Sequence, residues 1–195
     1  MHKIPLLIIL CLLLTDTLVA QITSLRPNAV SSQHPYGKID PAAYPQVKDY
    51  ELMIGTCDCK STQRNQDGTW ADSISTVWQF KYILDGRAVQ DENWREDGVA
   101  TSSVRMFNPD SAAWSVTYFS SVAPTFSPGV WRGGKVGDDI VLKRDQTAPN
   151  GFPGDSKLTF FNISEHGFSW KSEWVSKDES IVYPTWSIHC KKRKE

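Results

Sequence analysis

The stretch Ser75–Glu96, STVWQFKYILDGRAVQDENWRE, decides the fold. In its first arm Thr76, Trp78, Phe80, Tyr82 and Leu84 alternate with Ser75, Val77, Gln79, Lys81 and Ile83. A period of two puts the aromatic side chains on one face of a strand. Asp85-Gly86 supplies the positive φ values of a tight turn, because Gly lacks a Cβ and Asp tolerates the left-handed region. The stretch therefore reads as a β-hairpin with one aromatic face.

Outward from this hairpin the chain keeps the same pattern. Strands are expected at 52–63, 99–107, 113–120, 129–136, 139–144, 157–163, 167–176 and 180–190, beside the two hairpin arms. Turn signals separate them: Arg64–Gly68, Asp97-Gly98, Asn108–Ser111 and Gly137-Asp138. Ser121–Gly129 carries two prolines and reads as an irregular loop, and Asp145–Ser156 reads as a longer one. No segment of helical period is long enough to cross over a parallel sheet. About ten sequential antiparallel strands favour an all-β, up-and-down, lipocalin-like barrel, since closure removes the exposed edges of a flat sheet. A sandwich is the alternative.

Before the first strand, residues 1–20 have a basic start (His2, Lys3), an apolar run from Ile4 to Leu14 and a small residue at Ala20. That order is a secretory signal pattern, and the run is too short for a permanent membrane span. A secreted or periplasmic protein follows, with no integral membrane segment after cleavage. Residues 21–50, with Pro27, Pro35, Pro41 and Pro45, read as an extended leader that either covers one end of the barrel or is mobile. The barrel domain is expected over 51–191, with a basic, solvated tail at 192–195.

The formal net charge is −1, and loss of Lys3 and Asp16 with residues 1–20 leaves it unchanged. There is no global field to attract nucleic acid. Cys57, Cys59 and Cys190 remain after cleavage, an odd number for an oxidising compartment. Cys57 and Cys59 share a strand face and are poorly placed to bond to each other. Cys190 is therefore expected to pair with one of them, leaving one thiol free.

Several segments resemble known proteins. Leu52-Met53-Ile54-Gly55-Thr56 resembles the L-x-x-G-x-W opening strand of calycins, with Cys57 where the Trp often stands. Trp78–Arg87 resembles the aromatic strand and "LDGR" turn of the bacterial domain of unknown function family 1579. Arg105–Asp110 followed by Trp114, and Phe168–Trp174 followed by Trp186, resemble that family's later strands. The resemblance covers roughly residues 50–190. It implies a calycin barrel and carries no general activity.

The candidate site follows from face counting. With Trp 8, Tyr 6 and Phe 8, aromatics are many for this length, and they serve either as core or as the walls of a pocket. Trp78, Phe80 and Tyr82 share a face, as do Trp114 with Tyr118, and Phe168 with Trp170 and Trp174. On the second hairpin arm Ala88, Gln90, Glu92 and Trp94 lie opposite Val89, Asp91, Asn93 and Arg95. If Glu92 and Arg105 both face inward, they pair across the cavity and anchor a polar ligand group; otherwise both are solvent-facing. The ligand-binding candidates are Trp78, Phe80, Tyr82, Glu92, Arg105, Tyr118, Trp170 and Trp174.

His189, His166 and His34 show no metal-binding spacing, so neither a metal nor another cofactor is expected; a single strand His as a haem ligand is the minor alternative. No Ser-His-Asp order or phosphate-binding loop stands out. The expected function is a binding protein for a small apolar or aromatic ligand. The alternative is a barrel enzyme, an isomerase, cyclase or lyase, using Glu92, Arg105, Tyr82 or Tyr118. Catalytic residues and oligomeric state are open at this point.

Overall fold

The computed structural model describes residues 25–194. The signal-peptide reading of residues 1–20 lies outside the described residues. Ten antiparallel strands form a closed barrel: β1 (Gly55–Gln63), β2 (Ile74–Ile83), β3 (Ala88–Arg95), β4 (Ala100–Asn108), β5 (Ala113–Ser120), β6 (Val130–Val136), β7 (Asp139–Thr147), β8 (Pro153–Ser164), β9 (Gly167–Ser176) and β10 (Val182–Lys192). Each strand pairs with its neighbours in sequence, and β1 closes the ring against β10. This is the expected lipocalin-like architecture. Alternation of side chains across the pleat gives every strand one face toward the interior.

Two local readings change. The expected loop at 145–156 is mostly strand, because β7 and β8 stay paired out to Thr147 and Pro153. The turn signals around Pro149, Asn150-Gly151 and Pro153-Gly154 mark only a short connection at 148–152, and the polar residues on either side of it keep the strand ladder. The first strand begins at Gly55; the residues before it, Pro45–Met53, form a 3₁₀ helix.

That helix closes one end of the barrel. Val47, Tyr50 and Met53 are fully buried. Tyr50 meets Trp114 edge-on with ring centroids 4.8 Å apart, and Asp49 accepts a 3.0 Å hydrogen bond from the Trp114 indole. The chain before it also docks on the opening hairpin. Asn28 N donates to Asp85 Oδ1 at 2.8 Å, Tyr82 N to Tyr36 O at 2.8 Å, and Arg87 pairs with Asp40 at 2.7 Å. Gly86 sits at φ 88° with the backbone of Lys38 and Asp40 so close that a Cβ would lie 2.3 Å from Lys38 O. Only glycine serves both the turn and that approach.

The disulfide is Cys59–Cys190, joining the first strand to the last at directly opposed positions. Cys57 is the free, buried thiol. Burial pushes it up to about 11, leaving it a weak nucleophile at neutral pH.

Candidate functional site

The interior has a filled half and a hollow half. Beside the plug helix Phe80, Phe160, Phe168 and Trp78 pack ring against ring at 5.4–6.2 Å. Toward the other end lies a cavity of about 200 Å³. One wall is polar and comes from β3 and β4: Asp91, Asn93, Thr101, Ser103 and Arg105. The facing wall is apolar and comes from β6–β10: Trp131, Leu142, Leu158, Trp170, Trp186 and Ile188. Trp78, Val116 and Tyr118 join the two, while Ser156 and Ser172 interrupt the apolar side.

Asp91 and Arg105 form a buried ion pair at the base of the polar wall, with side chains 3 % and 2 % exposed. Ser103 N donates to Asp91 Oδ1 at 3.2 Å. The Arg105 guanidinium is caged by rings, 5.0 Å from the centroid of Phe80, 5.3 Å from Tyr50 and 5.7 Å from Phe160. Burial raises the Asp91 carboxyl above the usual range, and the adjacent Arg105 opposes it. The Trp78 indole N–H also acts to lower it without forming a well-aligned hydrogen bond. Burial likewise pushes the Tyr50 hydroxyl up to about 12 and raises Tyr118. Arg105 Nε has no hydrogen-bond partner on the protein. A buried donor left unmade is costly, so this wall has unused hydrogen-bonding capacity.

Two wall indoles are fixed by serines. Trp131 Nε1 donates to Ser156 Oγ at 3.1 Å and Trp186 Nε1 to Ser61 Oγ at 2.7 Å. These two indoles of the apolar wall are thereby held in place.

Of the residues singled out from sequence, Trp78, Arg105, Tyr118 and Trp170 line the cavity. Phe80 is buried beneath it, against Arg105. Tyr82 lies at the plugged end facing Tyr36 and Ile39, away from the cavity. Trp174 stands at the open rim, donating to Gln146 O at 3.0 Å and packing on Phe152. Glu92 is on the outer face, 3.2 Å from Lys81, so it does not pair with Arg105.

The internal carboxylate is Asp91. Register explains the difference: Gln79 pairs with Glu92 and Phe80 with Asp91, so the aromatic face of β2 continues through Asp91. That signal lay in the turn itself. A two-residue turn at Asp85-Gly86 and the observed loop Leu84–Arg87 both set Phe80 opposite Asp91. His189 is exposed, sharing a 3.0 Å hydrogen bond with Ser169, and does not line the cavity, which removes it as an internal haem ligand. Among the described residues no helix is long and apolar enough to cross a membrane.

No protein-family model and no curated protein matches the chain. Among solved structures it is similar to the crystal structure of Rv2717c from M. tuberculosis, with a TM-score of 0.51 at 9% identity. The likeness covers 78% of this chain and 99% of that one. At that identity the likeness speaks to fold alone. Together with the closed ten-strand ring, it fits a calycin-like fold.

Proposed function

We propose that this chain is an exported, calycin-like binding protein, akin to the bacterial family 1579, that holds one small molecule inside the barrel. The observation that carries this reading is the cavity of about 200 Å³, with a rigid tryptophan wall facing a polar wall. Apolar surroundings with a few oriented polar groups are what small-molecule sites use for affinity and orientation. An apolar cavity of about 150 Å³ accommodates benzene, so this space suits a monocyclic aromatic with a polar substituent. Export is supported by the Cys59–Cys190 disulfide and by the secretory pattern of residues 1–20.

Native mass spectrometry of protein purified without denaturation tests the reading. A copurified species is expected on the wild type and not on Ser172→Phe, whose ring would fill the cavity. An adduct of equal occupancy on both proteins would reject the internal site.

A barrel enzyme is the second reading, favoured by the position of a buried carboxyl, Asp91, beside Arg105 on the cavity wall. Such groups, with a raised proton affinity, suit acid–base work. Recovery of the bound species chemically altered, with Asp91→Asn abolishing the change, would favour it over simple binding.

A further inference from the structure

Among the described residues three arginines have the inward parity of their strands: Arg105 lines the cavity, while Arg95 and Arg144 stand farther toward the open end, beyond its lining. Arg105 is already matched by Asp91. Arg95 pairs with Asp97 on the adjacent turn and lies 5.9 Å from the centroid of Trp186. Arg144 differs from both. Its guanidinium lies 4.2 Å from the Trp131 ring centroid, and among the described residues it makes no ion pair.

Position and support of Arg144 are both built in. On β7 it follows the inward-facing Leu142 by two residues, and its strand partner Ser156 lines the cavity. Gly129 makes room for it, since a Cβ there would lie 2.2 Å from Arg144 Nη1. Arg144 Nε is buried and has no hydrogen-bond partner. The Trp131 face stabilises the cation, yet leaves its in-plane donors available for an acceptor.

We infer that the site takes an aromatic organic anion, ring inward among the tryptophans and anionic group held at the mouth by Arg144. The inference rests on the binding reading above and adds the ligand's charge and its orientation. The opposite orientation is disfavoured by Asp91, which already occupies Arg105 and would repel a second anion in the low-dielectric floor. An anion left at the rim keeps part of its hydration, so the ion pair forms without a full desolvation cost. Planar, forked donors match a carboxylate in two-point contact.

The test is calorimetric titration with three probes sharing one body: para-isopropylbenzoate, para-isopropylbenzamide and para-isopropylbenzylammonium. Wild-type protein is expected to bind the benzoate about tenfold more tightly than the amide, and the ammonium most weakly, as one charge-assisted contact implies. The benzoate-to-amide ratio should shrink as salt rises. It should fall close to one in Arg144→Gln and be partly retained in Arg144→Lys, which keeps charge without the fork. Should Arg144→Gln not fold, the wild-type ratio, its salt dependence and the lysine variant still decide.

A benzoate that binds no more tightly than the amide in the wild type, or a ratio that survives Arg144→Gln, overturns the inference while the binding site stands. Failure of all three probes to bind removes both.

Discussion

The two ends of this barrel are built from the same strands and do opposite work. At one end the plug helix buries Val47, Tyr50 and Met53, and the preceding chain hydrogen-bonds to the turn of the β2–β3 hairpin. At the other end the loops leave Val122, Phe126, Phe152 and Ile181 exposed, and the interior is hollow beneath them. The contrast separates a packed half from a hollow half along one axis. Ten strands enclose more volume than eight, so an aromatic plug fills one half and the rest becomes a pocket.

The largest effects that would break this comparison lie at its midpoint and at the plug. Asp91→Asn leaves Arg105 buried without a counter-charge and should cost about 3–5 kcal/mol in denaturant unfolding, whereas adding Arg105→Met should recover most of the loss. With Arg105→Met also measured alone, a double variant whose loss equals the sum of the two single losses would mean that the pair does not couple. Tyr50→Ala removes a fully buried ring from the closed end and should cost about 3–5 kcal/mol, with the hollow end still ordered.

Next comes the seam. Replacing Cys59 and Cys190 together by Ala frees a loop spanning a sequence separation of 131 and should cost about 2–5 kcal/mol. The neighbouring Cys57, with its thiol pushed up to about 11, should resist iodoacetamide at pH 8 in the folded protein and react once the barrel is unfolded. Rapid native labelling would show that the closed half opens more readily than its packing implies.

The smallest effect belongs to the open end. Glu179 sits between Lys143 and Lys157, whose hydrogen bonds hold its carboxyl down to about 2 from an ordinary 4.5. A depressed carboxylate contributes stability above its unfolded value, and that contribution is lost as pH falls from about 4.5 through 2. The group is substantially exposed, so Glu179→Gln should change stability by less than about 1 kcal/mol at pH 7. The wild-type advantage should vanish in acid.

Much of this division was legible in the sequence, and the reason differs from one part to the next. Alternation over Thr76–Leu84 and the Asp-Gly turn specify a hairpin locally, and repetition of that pattern specifies the barrel. The cysteine faces reduced the disulfide to two choices, and the opposition of Cys59 to Cys190 selects one. Trp78, Tyr118 and Trp170 lie on aromatic faces that alternation along single strands picks out, whereas Arg105 stayed open between an inward and a solvent-facing position.

Parity along β3 alone misplaces Glu92 because it does not say which face is inward, whereas carrying the aromatic face of β2 across the Asp85-Gly86 turn does. The hairpin register turns Asp91 in and Glu92 out. Trp174 has an inward parity yet stands at the rim, since parity says nothing about height along the barrel axis. That the chain before β1 covers one end of the barrel was only one of two readings, because residues 21–50 carry prolines and no sustained apolar period; the helix at Pro45–Met53 gave no such signal. Its burial comes from Tyr50 meeting Trp114, residues far apart in the chain.

The central claim is that the hollow half holds a small molecule, and one measurement addresses it directly. Intrinsic tryptophan emission, titrated with para-isopropylbenzamide, reports on Trp78, Trp131, Trp170 and Trp186, all of which line the cavity. A saturable change in the wild type that disappears in folded Ser172→Phe is the predicted result. A change of the same size and midpoint in both proteins, or none in the wild type, would contradict it.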